Sequence, residues 1–295
     1  MTERDATAAL SEEKRWRLFL WPPLIVSATL LVIPQASFVW MSLHKNLGMG
    51  LLGSTLTLEN YARALGDAFY LDCLWLTFWL SLVATAITLF LAFPAAYLLA
   101  RSRSAWISFL IVLLLISSFV TIVIKVLGLS LVLGQEGVVN QFLQWIGVIS
   151  VPLRMLNNQS GVIIGLIQYT LPFLVMLLFS VIQTIPVSLE EAAELHGAGR
   201  ISTFREVLLP LALPGLIAGG LVTFNLNMGA FTSAVLLGGG KVLTLPVVIQ
   251  RKILLDVDYP FAACLATELV VLVFLFNVAS AFFIRWKTRG ASQVR

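Results

Sequence analysis

Long runs without a charge decide what this chain can become. Arg17 is followed by 26 residues, 18–43, that contain no Asp, Glu, Lys or Arg, and Asp72 by 28 more, 73–100. About 20 apolar residues in a helix cross the roughly 30 Å of hydrocarbon in a bilayer. The whole chain of 295 residues is 59% hydrophobic and 12% charged, with mean hydropathy +0.95. Soluble domains carry about 25% charged residues, so a water-soluble fold is excluded and the runs read as membrane helices.

Six spans fit the pattern, at about 18–41, 73–100, 105–134, 160–185, 208–237 and 261–284. Lys and Arg divide unevenly between the two sides of such a topology. One side receives the four bases of 1–17, Arg101 and Arg103, Arg200 and Arg205, and the four bases of 285–295. The other receives Lys45, Arg63, Arg154, Lys241, Arg251 and Lys252, while Lys125 lies inside a span. Positive charge stays on the cytoplasmic side, so twelve against six places both termini in the cytoplasm. The polar stretch 1–17 mixes Glu3, Asp5, Glu12 and Glu13 with its bases. It leads into an apolar run longer than the about 7–15 residues of a signal-peptide core, which predicts an uncleaved first helix.

The net charge of +4 comes from bases at span ends, not from a basic cluster with interleaved aromatics, so nucleic acid is not an expected partner. Cys73 and Cys264 sit in apolar runs without a CxxC partner and read as small hydrophobes.

Between the charge-free stretches 155–189 and 207–240 stands a polar island, Glu190-Glu191-Ala192-Ala193-Glu194-Leu195-His196-Gly197-Ala198-Gly199-Arg200. Ser188, three residues ahead of Glu191 and just after Pro186, makes a capping-box pattern that starts a helix near 189. Glu190 and Glu191 occupy its first turn, where the helix dipole favours negative charge. Ala192 and Ala193 are strong helix formers, small enough to let another surface approach the backbone. Gly197 can supply the left-handed conformation that ends a helix. A second short helix through 200–206 then returns the chain to Leu209-Pro210. Such a short helix buries little of itself in its own subunit. It is either a rigid lug for a cleft on a partner or a solvated connector between spans.

The spacing of Glu191-Ala192-Ala193, Gly197, Val207 and Leu209-Pro210 resembles the Glu-Ala-Ala loop of permease subunits of binding-protein-dependent ABC importers. That family's pattern runs Glu-Ala-Ala, three residues, Gly, nine residues, Ile, one residue, Leu-Pro; Val207 stands here for Ile. Several further segments are similar to the spermidine/putrescine-type branch. They are Thr57-Leu58-Glu59-Asn60-Tyr61, Gly137 with Asn140, Asn158 through Leu166, Leu171-Pro172-Phe173 and Gly238-Gly239, so that the resemblance covers roughly residues 55–285. His196 stands where that branch usually has Leu, and Leu127 and Leu129 where it is often aromatic.

The resemblance implies an all-α membrane protein of type I importer-permease architecture. Six transmembrane helices would occupy 18–286, with cytoplasmic segments at 1–17 and 287–295 and an ATPase-coupling loop at 186–210. Glu190, Glu191, Ala192, Ala193, Gly197, Leu209 and Pro210 would carry the coupling. The implied partners are a second permease subunit, two ATPase subunits and an extracytoplasmic solute-binding protein, all at a bacterial inner membrane. The implied solute is a polyamine or a related amine or opine-type compound.

Absent motifs agree with that reading. No G-x-x-x-x-G-K-[ST] phosphate loop occurs: Gly240-Lys241 is followed by Val242, and Val235 stands where the first Gly belongs. ATP is therefore expected on a partner subunit, with no cofactor or metal in this chain. G-x-S-x-G and H-E-x-x-H are missing too, and the only histidines are His44 and His196, so catalysis is not expected.

An ionisable side chain at the bilayer centre costs about 2.5–3.5 kcal/mol on insertion scales. Lys125, and Glu268 about a third of the way into the last span, therefore point to a translocation pathway, an internal ion pair, or snorkelling to the interface. Asn225 and Asn227 are further pathway candidates, with Asn277, Gln168 and Tyr169 behind them; each could instead bond a neighbouring helix. Asp256 and Asp258 would draw a cation to the outer mouth, opposed by Arg251 and Lys252. Pro210, Pro214, Gly215, Gly219-Gly220 and Gly238-Gly239-Gly240 punctuate the fifth span. It reads either as a broken span lining a cavity or as close packing through small residues. Residues 138–146 read as a short interfacial helix anchored by Trp145, or as a packed loop. The alternative function is an ion-coupled secondary transporter, with Lys125 and Glu268 as coupling groups and no need of a Glu-Ala-Ala loop.

Overall fold

The computed structural model describes residues 3–48, 50–102 and 104–291, with side chains over 21–48, 50–102, 104 and 106–282. The side chains of Arg103 and of the bases in 1–17 and 285–295, counted above for orientation, lie outside the described residues. Helices α1 (Glu3–Ser42), α2 (Glu59–Gly66), α3 (Ala68–Arg101), α4 (Ala105–Phe119), α5 (Ile122–Leu133), α6 (Val138–Trp145) and α7 (Gln159–Gln183) come first. They are followed by α8 (Ser188–Leu195), α9 (Arg200–Thr203), a π-helical turn (Phe204–Leu208), α10 (Leu209–Met228), α11 (Thr232–Gly238), α12 (Leu245–Leu254) and α13 (Tyr259–Ala291). Two short antiparallel strands, β1 (His44–Asn46) and β2 (Leu52–Leu56), lie between α1 and α2.

Six stretches among the described residues are long and apolar enough to cross a bilayer: Trp21–Ser42, Ala68–Arg101, Ile122–Trp145, Gln159–Gln183, Arg200–Met228 and Tyr259–Phe282. Two expected spans are not continuous helices. Residues 105–134 divide into α4 and α5 at Val120 and Thr121, whose ψ angles of 131° and 145° are extended. At about 1.5 Å per residue, neither the 15 residues of α4 nor the 12 of α5 cross a bilayer alone. No Gly or Pro marks this break. The β-branched run Val120-Thr121-Ile122-Val123 and the Ser118 hydroxyl, which donates to the Leu114 carbonyl at 3.0 Å, bias the backbone away from an unbroken helix. Residues 208–237 divide as well, because α10 stops at Met228 and α11 starts at Thr232. That break falls at Gly229, past Pro214 and the Gly219-Gly220 pair.

The chain forms two compact units, residues 1–66 with 251–268 and residues 67–250 with 269–295. In the first, the Thr57–Tyr61 segment is a staple. Thr57 Oγ1 accepts from the Glu59 amide at 3.1 Å, and Asn60 donates to the Ser42 and His44 carbonyls at 2.7 and 2.9 Å. Tyr61 Oη lies 2.7 Å from Ser42 Oγ, so the end of α1 is tied to α2 around the strand pair.

In the second unit α3 and α7 form the central pair. Towards the end that carries α8, Phe93, Ala96 and Leu99 pack with Leu174, Leu178, Ile182, Leu208 and Ala212. Towards the other end, Leu80 and Ala84 pack with Val162, Leu166, Ala234 and Val247. Glycines bring α10 close to both helices. A Cβ on Gly215 would meet Val181 at 2.6 Å, one on Gly219 would meet Leu174 at 2.8 Å, and one on Gly220 would meet Leu89 at 3.1 Å. Gly215 and Gly219 are one helical turn apart on the face toward α7, a small-xxx-small contact. These three glycines serve close packing, while the break in the span lies further on, at Gly229.

The expected helix at 138–146 forms as α6. Val138, Phe142 and Trp145 are exposed on it, while Asn140 is buried. Asn140 donates to the Gly134 and Leu153 carbonyls at 2.9 and 3.1 Å and accepts from the Leu153 amide at 2.8 Å. The loop after α6 folds around that one carboxamide.

Candidate functional site

The polar island folds into α8 and α9, at the end of the α3–α7 pair. α8 starts at Ser188, the residue expected to cap it. Val187 is its N-cap, and the Pro186 and Val187 carbonyls receive the Leu189, Glu190 and Glu191 amides at 3.2, 2.9 and 3.1 Å. Ser188 is thus already helical, and the anticipated Ser188–Glu191 capping box does not form. Pro186 has its φ preset for a turn, which starts the helix without a side-chain cap. The other end follows the sequence closely. Gly197 has φ +86°, its amide bonds to the Glu194 carbonyl at 2.9 Å, and the Ala198 amide bonds to the Ala193 carbonyl at 3.0 Å. These two bonds make a Schellman stop.

One face of α8 is fastened to its own subunit. Glu190, grouped above with the coupling contacts, turns inward and is only 8% exposed. Arg101, the last residue of α3, places both Nε and Nη2 2.7 Å from Glu190 Oε1. Its Nη2 also donates to the Ile185 carbonyl at 2.9 Å, and Tyr97 Oη donates to Glu190 Oε2 at 3.0 Å. The returning limb is held by Phe204, whose ring lies 5.1 Å from that of Phe93 and 5.6 Å from that of Tyr97. Tyr97 carried no sequence signal of its own, and Arg101 entered only the charge count.

The opposite face is open. Glu191, Ala192 and Gly197 are exposed, Ala193 is half-buried, and a Cβ at Gly197 would meet nothing within 4 Å. Leu195 and Ile201 are 87% and 84% exposed. Two large aliphatic side chains standing out of a polar loop were the signal that spacing arguments passed over. Leu209 is half-buried against the α3–α7 core, and Pro210 is exposed in the first turn of α10, just after the π-helical turn. The result is a short rigid block, clamped on one side and presenting small and apolar residues on the other.

The polar candidates within the spans separate. Asn225 is exposed and paired with Asn277, whereas Asn227 is buried and donates to Thr85 Oγ1 at 3.1 Å. The structure therefore makes Asn227 a packing residue. Lys125 is half-buried in α5, and among the described residues no ion pair involves it or Glu268. Glu268 is also half-buried, with Cys264 Sγ 3.9 Å from its Oε1. α13 begins at Tyr259, so Glu268 sits about 14 Å along it, about a third of the way through the Tyr259–Phe282 stretch. Asp256 is 2.6 Å from Lys252 Nζ and Asp258 is 3.6 Å from Arg63, so neither is a free acid for drawing a cation. Beyond the start of α7, Gln135, Arg154, Asn157, Asn158 and Lys241 line a cleft of about 430 Å³. Among the described residues no group of three or more His, Cys, Asp or Glu could hold a metal.

Comparison with known proteins identifies this arrangement. Residues 138–292 match the family described as binding-protein-dependent transport system inner membrane component. The chain belongs to that family. The spermidine/putrescine transport system permease protein PotB of Escherichia coli is 35% identical over 258 residues, 87% of this chain and 89% of its own. A putative 2-aminoethylphosphonate transport system permease protein of Salmonella typhimurium is 27% identical over 86% of this chain and 87% of its own. A solved bacterial alginate ABC transporter, in complex with a pentasaccharide-bound periplasmic protein, matches with TM-score 0.75 at 18% identity over 94% of this chain and 96% of its own.

The chain is thus a multi-pass inner-membrane permease subunit of an ABC importer with the type I fold. It is a transport component and not an enzyme. An ion-coupled secondary carrier does not fit this family.

Proposed function

We propose that this permease carries a polyamine or a related amine or opine-type compound inward, driven by ATP hydrolysed on a separate subunit. What carries the reading is the 35% identity to a spermidine/putrescine permease, sustained along 87% of this chain. Loop 186–210 is the ATPase-docking segment. Glu191, Ala192, Ala193 and Gly197 lie against the partner, Leu209 and Pro210 fix the re-entry into the membrane, and Glu190 acts from inside its own subunit. Small residues around a rigid, capped helix suit a cleft, and exposed Leu195 and Ile201 add apolar area to it.

The partner set is a second permease, two ATPase subunits and an extracytoplasmic solute-binding protein, with ATP on the ATPases and no cofactor or metal on this chain. The 1–17 segment, loop 186–210 and the 287–295 tail face the cytoplasm, and the 18–286 region forms the transmembrane domain. Asn225, Lys125 and Glu268 are the pathway residues. ATP-driven closure of the ATPase pair displaces the loop and switches the cavity between inward- and outward-open states, which requires the ATPase to bind the two states unequally.

The test is uptake into proteoliposomes that contain the whole importer with ATP inside. Radiolabelled spermidine, putrescine and 2-aminoethylphosphonate would be offered with the binding protein outside. Saturable, ATP-dependent uptake of spermidine or putrescine is expected. Uptake of the phosphonate alone would reassign the solute.

A further inference from the structure

We propose that Arg101 is a positioning residue which, through Glu190, fastens α8 to the end of α3, so that displacement of the coupling loop is delivered to α3 directly. The proposal rests on the reading of loop 186–210 as the docking segment. Covalently, α8 is joined to α7 by residues 184–187 and, through His196 and the Gly197-Ala198-Gly199 stretch, to α9 and the π-helical turn that lead into α10. Those connections alone would let it pivot. The Arg101 guanidinium closes the gap, because a single planar group holds the exit of α7 through the Ile185 carbonyl and the first turn of α8 through Glu190.

Burial decides how firm the clamp is. The two side chains are 15% and 10% exposed, so water competes weakly for either charge. Breaking a buried pair leaves an uncompensated charge, which opposes separation of α8 from α3 far more than a surface ion pair would. Tyr97 occupies the second carboxylate oxygen, and Phe204 packs on Phe93 and Tyr97, so both limbs of the loop bear on the same helix. Glu191, Leu195 and Ile201 remain free of this contact and available to a partner.

The experiment measures a spin-label distance between cysteines at 102, just past α3, and at 200, at the start of α9, in the complete importer with Cys73 and Cys264 replaced by Ala. It is read without nucleotide and with ATP trapped on a hydrolysis-deficient ATPase. Native Arg101 is expected to give one narrow distance, the same in both states. Arg101→Gln is expected to broaden it and make it shift with ATP, and Arg101→Lys, which keeps the charge opposite Glu190, to return it toward a single value. The proposal is overturned by a native distance that shifts with ATP, by an Arg101→Gln distance like the native one, or by an Arg101→Lys distance as broad as that of Arg101→Gln. Should Arg101→Gln fail to assemble, the native comparison still decides. ATPase retention by Gly197→Asp is measured alongside: retention sinks the docking reading, whereas release with an unchanged Arg101→Gln distance sinks the clamp alone.

Discussion

Asn225 and Asn277 hold each other's carboxamides between α10 and α13. Asn277 Nδ2 donates to Asn225 Oδ1 at 3.0 Å, and the return bond is 3.4 Å. Two residues along α10, Asn227 points about 200° away and bonds Thr85 inside the packed pair with α3. Neighbouring asparagines with one side chemistry have been given different work by helix periodicity alone.

That difference predicts different phenotypes. Asn225→Ala in the complete importer should lower solute uptake roughly ten-fold, the loss of one hydrogen bond of ordinary strength, without changing the amount of permease in the membrane. Asn227→Ala should instead lower thermal stability by about 1–3 kcal/mol, since it leaves Thr85 buried without that partner. Uptake and a melting curve on the same two variants separate the roles.

Gly197 should not tolerate a side chain. Its φ of +86° strains any L-residue, and Gly197→Asp also sets a charge on the open face of the block. The variant should insert normally, lose its ATPase on co-purification and lose ATP-coupled uptake. A bulky residue at Ala193, or Leu195→Glu with Ile201→Glu, should do the same by occupying or charging the partner face.

The glycine contacts of α10 make a stability prediction. Gly219→Leu would drive a side chain into Leu174 and Leu177, on a face with no room. Overpacking of this kind typically costs about 1–3 kcal/mol, so the variant should melt earlier and be recovered in smaller amounts. Gly197→Ala meets no neighbour within 4 Å, so any earlier melting there should come from the strain of its φ of +86° and not from overpacking.

The spans, the Glu-Ala-Ala spacing and the Gly197 stop were legible because each depends on local residues: apolar length, helix propensity, one positive φ. The break at Val120-Thr121 was not, since it needs no Gly or Pro, and the break in α10 fell at Gly229 while the more conspicuous glycines serve helix contact. The burial of Glu190 was not legible for a different reason. Its place in the first turn was correct, but its direction depends on Arg101 and Tyr97, about ninety residues earlier in the chain. Long-range ion pairs leave no periodic trace in a sequence.

Orientation is open to a labelling test. Cysteine at 200 should resist a membrane-impermeant thiol reagent in intact cells, and cysteine at 58 should react. Asn60 is unsuitable as the outer reporter, being buried and bonded to Ser42 and His44, whereas Leu58 is 69% exposed. Cys73 and Cys264 are buried and should give little background. Labelling at 200 from outside would reverse the topology and remove the docking loop from the cytoplasm.

Glu268 gives the sharpest test of solute charge. It lies inside α13, half-buried, and among the described residues its carboxylate has only the weak donor Cys264 against it. A carboxylate at that depth is costly unless something cationic compensates it, and Asp256 and Asp258 cannot share the task because Lys252 and Arg63 already pair with them. For a polyamine, Glu268→Gln should reduce uptake at least about ten-fold, because it removes the charge while keeping the shape. Glu268→Asp keeps the charge and should retain most of the activity. Equal losses in the two variants would mean that Glu268 packs rather than attracts, and the reading of Glu268 as the group that meets a cationic solute would fall.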